Sequence, residues 1–253
     1  MKKIAIITGA TGGIGREFVK QILPEELDEI WAVARDEQKL NELRETYGEK
    51  VIPISIDLSD MQGINKIKCL LEEQKPQVCF LINNAGLAKM GSYQDFSIEE
   101  ISRTVDLNCK TPVLLCKICI PYMSSGSRIL NISSASAFQP NPYINLYAAS
   151  KAFERSYSRA LNVELKGTGI TATAVCPSWV DTELLTKEIN GKKVRFPGMV
   201  TADRVVTQAL EDARKGKDMS VCSLYVKCQH LNVKLLPQKL VMKLWMRSIR
   251  EYL

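Results

Sequence analysis

Short apolar runs recur along the first two thirds of the chain: Lys3–Ile7, Ile30–Ala34, Val51–Ile56, Val78–Ile82, Arg128–Ile132 and Thr171–Val175. A strand with one wet face alternates apolar and polar residues, whereas a continuous apolar run suits a strand covered on both faces. Between the runs, apolar residues recur at helical spacing over Gly15–Ile22, Asp36–Tyr47, Asp60–Glu73, Ile98–Met123 and Tyr147–Leu165. Repeated strand-helix units predict an α/β fold, a doubly wound parallel sheet with helices on both faces. No linker rich in Gly, Ser or Pro divides the first 180 residues, so 1–253 reads as a single domain.

The pattern thins beyond that point. Ser220–Val226 reads as a final strand, and 183–200 as a flap over a substrate. The flap carries Lys187, Lys192, Lys193 and Arg195 against Glu183 and Glu188, a local cationic excess. Trp179, Leu184, Leu185, Phe138, Tyr143 and Met90 are candidates either to line an apolar pocket or to fill the core. The tail 237–253 reads as an amphipathic helix, with Leu240, Val241, Leu244, Trp245 and Ile249 on one side and Pro237 suited to its first turn. Packing on the pocket, a subunit contact and adhesion to an acidic membrane all fit such a helix, and packing is the reading adopted.

Composition removes several functions. Hydrophobic residues make up 45% and charged residues 25%, an ordinary globular balance. The net charge of +6 suits an anionic ligand, but no basic block with interleaved aromatics points to nucleic acid. Ile4–Ile7 is too short for a signal core, and no run approaches the ~20 apolar residues of a membrane span, so a cytoplasmic protein is expected. Eight scattered cysteines then read as buried free thiols, with Cys116 and Cys119 as core packing. The single histidine, His230, sits outside any nucleophile motif, which argues against a Ser-His-Asp hydrolase and a His-rich metal centre.

The remaining chemistry gathers at strand ends. Gly9, Gly13 and Gly15 lie between an apolar strand and a helix, where glycines permit a tight turn and a pyrophosphate can meet the helix N-terminus. Twenty residues after Gly15, Arg35 stands where an acid would bind a ribose 2′-hydroxyl and an arginine would accept a 2′-phosphate. NADP is therefore favoured over NAD, with Asp36 read as a helix cap. Asp57 and Leu58 follow the third strand at the position of an adenine contact, and Asn83-Asn84-Ala85-Gly86 follows the fourth. Tyr147 and Lys151, four apart, share a helix face. A phenol ordinarily ionises near ~10, and an adjacent ammonium favours the phenolate. Ser134 could hydrogen-bond the oxygen on which charge changes.

In this order, Thr8-Gly9-Ala10-Thr11-Gly12-Gly13-Ile14-Gly15, Asn83–Gly86, Asn108, Asn131-Ile132-Ser133-Ser134 and Tyr147-Ala148-Ala149-Ser150-Lys151 closely resemble the short-chain dehydrogenase/reductase family. The resemblance implies a Rossmann-type fold and a hydride-transfer site. Tyr147 would be general acid in carbonyl reduction and base in alcohol oxidation, and Lys151 would favour its phenolate and bind the nicotinamide ribose. Ser134 would polarise the substrate oxygen, and Asn108 would hold a water joining Lys151 to solvent. NADP(H) would contact Gly9, Thr11, Gly13, Ile14, Gly15, Arg35, Asp57, Leu58, Asn84, Ala85, Gly86, Tyr147, Lys151, Pro177, Val180 and Thr182. Ser178 replaces the glycine usual after Pro177. The expected activity interconverts a secondary alcohol and its ketone, with a hydroxysteroid or other bulky apolar substrate as the leading candidate. The alternative is a non-catalytic NADP-binding sensor or scaffold. Pairing through Pro112–Met123 and Tyr147–Leu165 into a homodimer or homotetramer is also expected.

Overall fold

The computed structural model describes residues 1–182, 185, 188–189, 192–193 and 196–250, with backbone alone at 188–189 and 192–193. The six apolar runs form strands β1 (Lys3–Thr8), β2 (Glu29–Ala34), β3 (Val51–Ser55), β4 (Gln77–Asn83), β5 (Arg128–Ile132) and β6 (Thr171–Val175), and β7 (Met219–Ser220) adds an edge. All pair in parallel, in the order β7-β6-β5-β4-β1-β2-β3. The chain winds outward from β1 to β3, then returns to place β4 on the other side of β1. The crevice at their carboxyl ends is the switch point where open α/β sheets bind ligands.

Side chains of successive strand residues point to opposite faces, which splits the core in two. On one face Ala5, Ile7, Ile30, Ala32 and Ile82 pack against helices α1 (Gly13–Ile22), α2 (Glu37–Tyr47) and α7 (Ala202–Arg214). On the other, Ile4, Ile6, Trp31, Leu81 and Ile129 meet α3 (Met61–Gln74), α5 (Thr111–Cys119) and α6 (Asn145–Glu164). Two of the starts are written locally: Asp36 accepts from Lys39 N to cap α2, and Asp60 from Gln62 N to cap α3.

Three expectations are corrected. Ile98–Met123 is not one helix: α4 (Ile98–Val105) passes into a π-helical turn over Asp106–Lys110, then into α5 and a 3₁₀ turn at Ile120–Tyr122. Pro112 causes the first break, because it lacks an N–H and its ring crowds the carbonyl four residues back, that of Asn108. The last strand is only Met219–Ser220; Leu224–Leu235 is helix α8, and Val221 and Val226 pack beside Phe138 rather than extend the sheet. The thiols are free, but only Cys116, Cys119 and Cys176 are buried, while Cys69 and Cys228 are exposed.

The tail forms α9 (Gln238–Ser248), with Pro237 as its N-cap. Val241 and Ile249 are buried, and Trp245 Nε1 donates to Pro142 O at 2.9 Å, so part of its apolar side is covered by the protein; Leu240 and Leu244 remain exposed. Within 183–200, Glu188–Ile189 pairs antiparallel with Lys192–Lys193. Leu184, Lys187, Arg195 and Glu183 lie outside the described residues.

Gly63 separates propensity from packing. In a helix interior Ala is better than Gly by about 1 kcal/mol. A Cβ at Gly63 would, however, stand 2.1 Å from Asp57 O, a contact no rotamer relieves. Gly63→Ala is expected to lower the urea midpoint; a midpoint raised by the substitution would show that α3 does not seat against the Asp57 turn.

Candidate active site

Two turns meet at the switch point. Gly9 has a left-handed φ of 61°, and a Cβ there would lie 2.9 Å from Asn84 Nδ2. A Cβ at Gly15 would lie 2.1 Å from Gly9 O, so both positions require glycine. Thr8 Oγ1 accepts from Asn84 N and Ala85 N, at 2.9 and 3.0 Å, while Asn84 Nδ2 donates back to Thr8 O and Gly9 O. The turns after β1 and β4 are thereby one unit.

Helix α1 opens from this unit. Its N-cap is Gly12, which supplies no side-chain acceptor, and its first turn holds no acid. Leading helix N–H groups lack intrahelical partners and carry a partial positive charge, so this end fits an anionic phosphate. Thr11 and Ile14 are half-buried beside it. Thr182 closes the opposite side, with Cγ2 2.5 Å from where a Gly13 Cβ would stand. Pro177 O accepts from Ala135 N at 2.8 Å, and Val180 pairs with Val200 in a short parallel bridge, which fixes the segment leading to Thr182.

The second and third strand ends carry the predicted adenosine contacts. Arg35 is exposed, whereas the Asp36 carboxylate is engaged as the α2 cap. Asp57 accepts from Ser59 Oγ at 2.7 Å and pairs with Arg103 Nη2 at 2.5 Å. Burial pushes its carboxyl up, but the Ser59 hydrogen bonds and the Arg103 and Arg35 guanidinium groups outweigh that and hold it below the usual carboxylate range. Leu58 turns into the core.

The four predicted catalytic residues come from three elements beside this crevice. Asn108 sits in the π-helical turn, where its Oδ1 accepts from Leu87 N at 2.8 Å and its Nδ2 donates to Leu87 O and Ser150 Oγ. Ser134 is the N-cap of a 3₁₀ turn, Ala135–Phe138, following β5, and its Oγ accepts from Ser136 N at 3.2 Å. Tyr147 lies in the first turn of α6, half-buried, and Lys151 one turn later is buried. The Lys151 Nζ stands 5.9 Å from the centre of the Tyr147 ring. A point above Gly86 lies 3.4 Å from both Lys151 Nζ and Asn108 Oδ1, so these two groups converge on the turn after β4.

Lys151 is held from within the protein. Its Nζ donates to Ile132 O at 2.6 Å and to Glu154 Oε2 at 2.8 Å, and both side chains of this ion pair are nearly inaccessible. Burial pulls the ammonium down, but the Glu154 carboxylate and then the Tyr147 phenol outweigh it and leave its pKa raised. Burial pushes the Glu154 carboxyl up to about 7 against the opposing pull of Lys151. Polar groups continue inward: Asn83 Nδ2 donates to Asn131 Oδ1, Asn131 Nδ2 to Ser158 Oγ, and Ser158 Oγ to Glu154 O.

Glu154 is the site residue that motif reading passed over. The available signal was its place on the inward stripe Lys151, Glu154, Ser158, Leu161 of α6, where an acid three residues from a lysine marks a pair. Tyr143 was named only as pocket lining, yet it adopts a left-handed φ of 65° four residues before Tyr147, with its carbonyl accepting from Gly91 N. Phe138 proves to be core, 4.0 Å from the His230 ring and beneath the Arg155 guanidinium. Trp179 packs on Phe196, ring centres 5.1 Å apart.

The short chain dehydrogenase family model matches residues 3–193, and the chain belongs to that family of oxidoreductases. A very-long-chain 3-oxoacyl-CoA reductase of Anas platyrhynchos is 32% identical over 71% of this chain and 60% of its own. Among solved structures, a short-chain dehydrogenase from Sphingobium yanoikuyae in complex with NADPH superposes with a TM-score of 0.78, at 28% identity over 94% of this chain and 95% of that one. A bulky-bulky ketone specific alcohol dehydrogenase from Comamonas testosteroni gives a TM-score of 0.75, at 26% identity over 95% and 94%.

A carboxyl whose pKa is higher folded than unfolded binds more protons in the folded state between the two values. For Glu154 those are 4.5 and about 7, so its contribution to stability declines as pH rises across that window. Wild type is expected to lose denaturant resistance relative to Glu154→Gln between those limits. Parallel stability-pH curves for the two proteins would show that Glu154 is not the buried acid described.

Proposed function

We propose that this protein is an NADP(H)-dependent oxidoreductase that interconverts a secondary alcohol and its ketone on a bulky apolar substrate, with a hydroxysteroid as the leading candidate. The observation that carries the reading is a buried ammonium, Lys151, one helical turn from the half-buried Tyr147, at the switch-point edge of the sheet. A bound nicotinamide supplies or accepts the hydride. The glycine turn, the uncapped start of α1 and the Thr182 contact with Gly13 fit its pyrophosphate and nicotinamide ends.

In reduction, Tyr147 Oη donates its proton to the carbonyl oxygen; in oxidation it accepts one from the alcohol. Ser134 Oγ already accepts from Ser136 N, which leaves its own proton to donate to the reacting oxygen. Lys151 stabilises the negative charge that develops on the phenol oxygen and binds the nicotinamide ribose. Asn108, fixed by Leu87 and Ser150, holds a water that joins Lys151 to solvent. Gly9, Thr11, Gly13, Ile14 and Gly15 hold the pyrophosphate, and Arg35 the 2′-phosphate. Asp57 and Leu58 would border the adenine, Asn84, Ala85 and Gly86 would lie in a turn beside the cofactor, and Pro177, Val180 and Thr182 would lie beside the nicotinamide, with Thr182 the contact to its carboxamide. NADPH in the Sphingobium structure and the ketone and 3-oxoacyl substrates in the relatives' names support the cofactor and substrate class. No described helix is long and apolar enough to cross a membrane; we place the protein in the cytoplasm, with residues 183–200 as the substrate flap.

The protein also pairs as a homodimer or homotetramer in this reading. Helix α6 exposes Phe153, stacked 6.4 Å from Tyr157, and Val163, while α4 exposes Ile101 and Val105. A surface of that kind usually has a partner. Light scattering is expected to give a mass well above the 28.4 kDa of one chain, and a single-chain mass at micromolar concentration would contradict the pairing.

Tyr147→Phe keeps the ring and removes the proton donor, so NADPH should bind while ketone-dependent NADPH oxidation falls by about a hundredfold or more. Near-normal turnover in that variant would refute the assignment of the acid. Arg35→Ala removes the guanidinium fork that grips a phosphate, so KM for NADPH should rise by about tenfold or more with little change for NADH. A wild type that already prefers NADH would overturn the Arg35 role and turn attention to Asp36.

A further inference from the structure

Helix α8 buries one side and leaves a complete apolar stripe in water. Val226 is buried against Phe138 and Val221, and Gln229 reaches Gln139. On the opposite side Leu224, Cys228, Leu231 and Leu235 fall at intervals of four, three and four, one continuous face of a helix. Leu224 is 76% exposed, Leu231 56% and Leu235 73%. Lys227 and Lys234 border the stripe, seven apart along one flank. The exposed apolar surface continues through Leu236 between the helices to Leu240 and Leu244 of α9. There Lys239, Lys243, Arg247 and Arg250 surround it, while Val241, Trp245 and Ile249 anchor the other side.

The net charge of the whole chain equals that of the segment that carries these two helices. From Met219 to Arg250 there is no aspartate or glutamate, and six lysines and arginines occur. Those six come from a total of 34, so the basic residues elsewhere equal the 28 acidic ones and the rest of the chain is neutral. The surface is therefore apolar along its crest, and the charged side chains that these two helices contribute to its flanks are all cationic. A second copy of the same surface would bring like charges together around its apolar contact. A sheet of anionic lipid headgroups satisfies both parts at once, with leucines entering the acyl boundary and lysines remaining at the phosphates. Each basic residue near such a surface strengthens binding by about fivefold, an effect that salt screens.

We propose that α8 and α9 form a peripheral docking surface for anionic membranes. Both helices are built onto the segment that leads into the catalytic helix: α8 through Phe138 and His230, α9 through the Trp245 hydrogen bond to Pro142, five residues before Tyr147. Docking by this surface brings the Ser134–Tyr147 segment toward the bilayer, the phase in which an apolar ketone or alcohol is concentrated. The proposal rests on exposure and charge, and stands whatever the substrate proves to be.

Cosedimentation of the full chain with vesicles tests it, using phosphatidylcholine alone and phosphatidylcholine mixed with phosphatidylglycerol. The chain should pellet with the mixed vesicles, remain in solution with the neutral ones, and be released by molar salt. Leu231→Glu with Leu235→Glu, two exposed positions outside the catalytic segment, should reduce pelleting by about tenfold or more at unchanged thermal stability. Lys227→Gln with Lys234→Gln should weaken binding by an intermediate factor. Failure to pellet with mixed vesicles at low salt overturns the proposal, as does equal pelleting with neutral ones. Light scattering that shows the leucine pair of substitutions lowering the solution mass would assign the surface to a second copy instead, and would also overturn it.

Discussion

Burying an ammonium governs the architecture around this site. A lysine taken out of water without partners would lose its proton or destabilise the fold, so Lys151 can remain charged only where the chain supplies acceptors. The Ile132 carbonyl and the Glu154 carboxylate do so. Each partner imposes a further condition. Ile132 is the last residue of β5, which fixes α6 against the end of that strand. Glu154 is itself buried and connects, through its backbone and Ser158, to Asn131 and Asn83 in the centre of the sheet. The phenol of Tyr147 is positioned by the same helix that carries the ion pair. The position of the phenol therefore depends on the sheet registering correctly across β4, β5 and α6.

The two sides of the crevice are held by different physics. On the side of the glycine turn, backbone proximity dominates: side chains are excluded at Gly9 and Gly15, and Thr8 and Asn84 join the two turns through hydrogen bonds to main-chain atoms. On the side of Lys151, charge and buried polar groups dominate. Asn108 shows how the sides meet. Pro112 prevents a regular helix from continuing past it, the backbone widens into a π-helical turn, and the Asn108 amide is held against Leu87 in the turn after β4.

Much of this was legible in the sequence. Continuous apolar runs marked the buried parallel strands because both faces of the sheet are covered, and their ends fell within a residue or two of the observed ones. The glycine and Tyr-Lys motifs were legible because steric and chemical requirements restrict those positions to few residue types. Other features depend on contacts between distant segments. The π-helical turn looked like uninterrupted helix because its apolar spacing is nearly helical. The brief final strand was read too long because Val221 and Val226 are apolar for packing on Phe138, not for pairing. Glu154 carries no motif, and only its burial beside Lys151 gives it significance. The strained backbone of Tyr143 has no sequence signal, since nothing about a tyrosine favours a left-handed φ.

The central claim is that the Lys151 charge, partly offset by Glu154, sets the proton transfer made by Tyr147. The pH dependence of NADPH-driven ketone reduction in Glu154→Gln against wild type tests it most directly. Without the carboxylate, the ammonium acts on the phenol undiminished, and the alkaline loss of rate is expected to begin at lower pH than in wild type. Superimposable profiles in two folded, active proteins would contradict the account, because the buried pair would then have no electrical connection to the reacting phenol.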